Sequence, residues 1–139
     1  MFSFVDYPTT FLPVSYTLCI ILMLMHIGFG IYEMFFWRSM GMSIAKKRDP
    51  CGLDSQNLPK AVEWAGFIAF NQGTYNLFIA GGLLFALAPN MNLHQDFALY
   101  FAGCIVVAGL AGAYTGIRAV FFLQTIPGLV LFGALYFDL

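Results

Sequence analysis

"AFNQGTYNLF" (residues 69–78) decides how this chain folds. Three amides, Asn71, Gln72 and Asn76, interrupt an apolar run that extends on both sides, over about 61–88. The run exceeds the roughly 20 residues that an α-helix needs to cross a hydrocarbon core. Amides are costly in hydrocarbon unless they are paired. The stretch therefore predicts a membrane helix whose polar side faces something other than acyl chains.

Working outward, three more stretches share its character, over about 14–37, 97–117 and 119–137. The chain is 60% hydrophobic and only 9% charged, against about 25% charged in soluble proteins. Polar groups that sparse cannot cover a water-exposed surface, so lipid is the expected solvent. The expectation is an all-α fold: a four-transmembrane-helix bundle forming one integral membrane domain over 1–139. A membrane β-barrel would need ~10-residue alternating segments, and the pattern does not alternate. Asn57 as N-cap and Pro59 in the first turn suit the start of the second span.

The six Lys and Arg residues set the expected topology. Arg38, Lys46, Lys47, Arg48 and Lys60 fall between the first two spans, and Arg118 falls between the last two. Cationic loops stay on the cytoplasmic side. That rule places loop 38–60 in the cytoplasm of a multi-pass inner-membrane protein, with both termini on the non-cytoplasmic side. The opening "MFSFVDYPTTFLP" has no basic stretch and no small-residue cleavage site, and reads as an interfacial segment rather than a signal peptide.

Ionisable and amide groups inside spans are the candidate functional residues. His26 and Glu33 are seven apart, so they share a helix face within about 20°. Gln72 and Asn76 are four apart and share another stripe, with Asn71 beside it. Gln124 precedes Pro127 on the fourth span, and Tyr114 ends the third. The economical arrangement is one interior cluster of His26, Glu33, Asn71, Gln72, Asn76 and Gln124, with Tyr114 capping it. Each amide taken singly also reads as packing glue between helices. The small residues Gly109, Gly112, Ala113 and Gly116 read as close helix packing, with homodimerisation as the second reading.

No nucleotide, hydrolase or metalloprotease motif occurs. No basic, aromatic-interleaved surface points to nucleic acid. No metal is expected: His94 has no ligand-type neighbour in sequence, and the methionines near His26 read as packing. The leading functional reading is a small membrane protein that binds or moves a small solute. The expected partners are the bilayer and a second copy or a larger membrane complex. Two other classes stay open, an accessory subunit of such a complex and an intramembrane enzyme on a lipophilic substrate.

Four stretches, "HIGFGIYEMFFW" (26–37), "NQGTYNLFIAGGLL" (71–84), "GCIVVAGLAGAYT" (103–115) and "QTIPGLVLF" (124–132), carry a resemblance. The chain resembles the domain-of-unknown-function 1304 family of small bacterial membrane proteins. The resemblance implies a four-helix membrane protein and supplies no reaction or cofactor. It places His26, Glu33, Asn71, Gln72, Asn76 and Gln124 inside the family pattern.

Overall fold

Every regular element among the described residues is helical, as an apolar solvent demands of a backbone that must satisfy its own hydrogen bonds. The computed structural model describes residues 13–48, 56–88 and 94–137. The N-terminal aromatic segment, Cys51 and the tip of the 89–93 loop lie outside them. In chain order the elements are α1 (Pro13–Phe35), α2 (Trp37–Arg48), α3 (Leu58–Trp64), α4 (Gly66–Ala86), α5 (His94–Tyr114), α6 (Arg118–Val120), a π-helical turn (Phe121–Thr125) and α7 (Ile126–Tyr136).

Among the described residues, three helices are long and apolar enough to cross a membrane: Val14–Phe35, Gln95–Tyr114 and Arg118–Tyr136. Helix α4 has the length, at 21 residues, yet is not among them. Asn71, Gln72 and Asn76 lower its apolarity. Large apolar side chains stand exposed along the helices, among them Trp64, Phe67, Ile68, Val107 and Leu129. Such surfaces suit acyl chains rather than water.

Several boundaries differ from the sequence expectation. Residues 38–48 of the expected 38–60 loop instead continue as α2 after a bend at Phe36. The bend keeps its backbone bonded, with Phe36 N donating to Tyr32 O at 2.9 Å. Lys46, Lys47 and Arg48 occupy the last turn of α2, where cations oppose the negative end of the helix dipole. The second span divides at Ala65 into α3 and α4. Asn57 does stand at the N-cap of α3, but its side chain makes no capping bond.

The 119–137 stretch contains the π-helical turn, and Pro127 accounts for it. A proline has no N–H to give to the carbonyl four residues earlier, and its ring crowds that carbonyl. Widening the preceding turn relieves the conflict.

The chain divides into two compact units. One is Met25–Phe78; the other joins Met1–Leu24 to Ile79–Leu139. In the first, glycines let α1 and α4 meet backbone to backbone. A Cβ on Gly30 would lie 3.0 Å from Gly73 O, and one on Gly73 would lie 2.8 Å from Gly30 O. Helices α2 and α3 close in the same way. Trp37 Nε1 donates to Val62 O at 2.7 Å, and a Cβ on Gly41 would fall 2.9 Å from Val62 Cγ1.

In the second unit, α5 packs along α6, the π turn and α7. Gly109 of α5 lies against Thr125, and Gly112 against Val120. From the other side, Gly128 of α7 fits against Ile105 and Val106. Gly109 and Gly112 thus serve packing within the chain. Gly116, at φ 98°, turns the chain between α5 and α6. Gln95 Nε2 donates to Leu135 O at 2.5 Å, which joins the start of α5 to the end of α7.

Candidate functional site

Helical spacing explains which polar residues turn inward. Along α1 the buried positions are Ser15, Cys19, Leu22, His26 and Gly30. These recur at four- and three-residue steps, so they form one stripe, and Glu33 continues it. His26 is fully buried. Its ring meets Phe29 edge-on, with centroids 5.8 Å apart. Glu33 is half-buried.

Along α4 the buried stripe is Ala69, Gly73, Asn76, Ala80 and Leu83. Asn76 is 4% exposed and donates from Nδ2 to Glu33 Oε2 at 2.7 Å. A hydrogen bond to a carboxylate is of the stronger kind. The Gly30–Gly73 contact makes it reachable: it lies one turn away on both helices and brings the two axes close enough for the short asparagine to span.

Asn71 and Gln72 are exposed, not interior. At about 100° per residue, Asn71 points roughly 160° from the centre of the α4 buried stripe, and Gln72 roughly 60° from it. Tyr114 is 93% exposed. It lies roughly 160° from the α5 stripe formed by Ala98, Ala102, Ile105 and Gly109. Gln124 is buried in the π turn beside Thr125, in the other compact unit from Glu33. Thr125 Oγ1 is buried and makes no hydrogen bond among the described residues.

A groove of about 500 Å³ opens beside Glu33, lined by Met25, Gly28, Phe29, Tyr32, Glu33 and Met40. Its walls are apolar and aromatic, and among the described residues Glu33 is its one carboxyl. Tyr32 is held by stacking on Phe36, with centroids 5.4 Å apart. Gly28 forms an open stretch of wall, because a Cβ there would meet nothing within 4 Å. Spacing in the sequence singled out Glu33 but missed the groove. Gly28, Phe29 and Tyr32 were its available signal, a small residue and two aromatics within one turn of each other on the carboxylate's helix.

The described residues thus form a helical protein with membrane-length apolar segments and a half-buried carboxylate near the end of one of them. Residues 20–136 match the family described as protein of unknown function (DUF1304), and the chain belongs to that family. No curated protein and no solved structure matches it.

Proposed function

We propose that this is a four-span membrane protein that binds, and passes across the bilayer, a small amphiphilic solute at the Glu33 groove. One observation carries the reading. A carboxyl fixed by an amide donor stands in a groove whose other walls are methionine, phenylalanine and tyrosine. An ionisable group at such a place is costly and is retained where it meets something. The complementary ligand has an apolar body and a cationic or hydrogen-bond-donating group, with Phe29 and Tyr32 able to face the cation. In this reading α4 also crosses the bilayer, as the second of four spans, loop 38–60 is cytoplasmic, and both termini lie on the far side of the inner membrane.

Asn71 and Gln72 favour a protein neighbour. Two exposed amides, Asn71 on the outer face of α4 and Gln72 on its flank, would be unpaired in lipid, whereas a second copy offers matching donors and acceptors. A homodimer is therefore the proposed working unit. A larger complex using the same face is the second reading.

The test uses tetraphenylphosphonium as a lipophilic cation and equilibrium binding to the protein in nanodiscs. Saturable binding is expected, weakened at least ~10-fold by Glu33→Gln, which removes the charge. Gly28→Leu should weaken it as much by filling the groove, with thermal stability retained. Absence of saturable binding, or equal binding by all three proteins, would sink the reading.

A further inference from the structure

A second groove, of about 600 Å³, lies where α2 meets α3. Its chemistry differs from that beside Glu33. Arg38 and Lys60 bring two cations to it and Glu63 one carboxylate, while Trp37, Met42 and Val62 give it an apolar floor. That floor is rigidly built: the Trp37–Val62 hydrogen bond and the Gly41 contact fix the two helices together. The indole N–H is engaged with the Val62 carbonyl, so the ring serves the groove as an apolar wall.

Depth is set by the neighbouring elements. The membrane-length segment ends at Phe35, and Arg38 follows within one turn. Exposed Phe35, Phe36, Trp64 and Phe67 flank the groove in sequence. Trp beside Arg and Lys at the end of an apolar span marks the boundary between acyl chains and headgroups.

We infer that this groove seats the headgroup of an anionic phospholipid. The phosphodiester lies between Arg38 and Lys60, and the start of the acyl chains lies on Trp37, Met42 and Val62. Glu63 refines the choice. A carboxylate at the rim repels a second negative charge and accepts hydrogen bonds from hydroxyl groups. The site therefore fits a singly charged, hydroxyl-bearing headgroup such as phosphatidylglycerol better than a doubly charged phosphate monoester. The inference is independent of what binds at Glu33.

The chain has two tryptophans, so Trp64→Phe leaves Trp37 as the only reporter. This protein is reconstituted in phosphatidylcholine vesicles containing brominated phosphatidylglycerol or brominated phosphatidylcholine, and quenching of Trp37 is measured. Two cations near the surface predict a preference for phosphatidylglycerol of roughly fivefold or more at low salt. Arg38→Gln with Lys60→Gln should bring the preference to about parity. Lys46→Gln with Lys47→Gln should leave most of it. Soluble glycerophosphoglycerol, the deacylated headgroup with the same single charge, should not displace the lipid. Glu63→Gln should raise the relative binding of brominated phosphatidic acid, and this variant carries the test if the double Gln variant does not fold.

Parity in the parent protein would overturn the inference. So would a preference that survives loss of Arg38 and Lys60, or one that disappears only with Lys46 and Lys47, since that is general surface attraction. Displacement by glycerophosphoglycerol would make the groove a soluble-anion site and overturn the lipid assignment. Unchanged phosphatidic acid binding in Glu63→Gln would overturn the role given to Glu63.

Discussion

Glu33 and Asn76 form an unequal pair, and the inequality is measurable. Glu33→Gln keeps an acceptor at the same reach, so Asn76 still has a partner. Asn76→Leu keeps the bulk of the side chain but leaves the carboxyl without its donor in a poorly solvated place. Leaving such a group unsatisfied costs about 1–3 kcal/mol, whereas membrane hydrogen bonds of ordinary kind contribute about 0.6 kcal/mol. Thermal unfolding in detergent should therefore show Asn76→Leu clearly less stable than Glu33→Gln. Equal destabilisation would mean that the bond at 2.7 Å matters only as packing. The residue scale also shows where the sequence falls short. Asn71, Gln72 and Asn76 carry the same amide group within about 8 Å along one helix, and that group does not separate them. Their neighbours do. Ala69, Gly73 and Ala80 make a small-residue stripe that includes Asn76 and leaves Asn71 on the far side.

Among the elements, α1 and α4 depend on two glycines with opposite surroundings to Gly28. A Cβ on Gly73 would lie 2.5 Å from Met34 Cγ and 2.8 Å from Gly30 O, and a backbone oxygen in a helix cannot move aside. Gly73→Val should cost about 1–3 kcal/mol by overpacking. It should also pull Asn76 away from Glu33. Gly28→Ala meets nothing within 4 Å and should be neutral or stabilising by up to ~1 kcal/mol, the helix-propensity difference. Paired thermal melts check this, and a Gly73→Val protein as stable as the parent would refute the close helix contact. The existence of most elements was legible, because length and apolarity alone specify a membrane helix. Their interruptions were less so. Helix α2 was read as loop because its charged residues mask a sequence with no strong helix breaker between Trp37 and Arg48. The π turn had a visible cause in Pro127, but sequence does not say whether a proline kinks a helix or widens the turn before it.

For the whole molecule, charge asymmetry is the strongest statement, since five of the six cations lie in residues 38–60. Cys51 falls in that segment and supplies the probe. With Cys19→Ala and Cys104→Ala, a membrane-impermeant maleimide should label Cys51 in inverted vesicles and not in intact cells. Labelling in intact cells would reverse the topology. What sequence left illegible at this scale is the groove, because a cavity is defined by what does not fill it. Its walls come from Met25 to Tyr32 of α1 and from Met40 of α2, joined across a bend that no pattern announced. The central claim is that a lipophilic ligand rests there, against Glu33. Photolabelling tests it most directly, with a hydrophobic amine bearing a diazirine and the adducts mapped by mass spectrometry. Adducts should concentrate on residues 25–33 and Met40, and fall away in Gly28→Leu. Adducts spread evenly over exposed apolar positions such as Val107, Leu129 and Val130, and unchanged in Gly28→Leu, would contradict the claim.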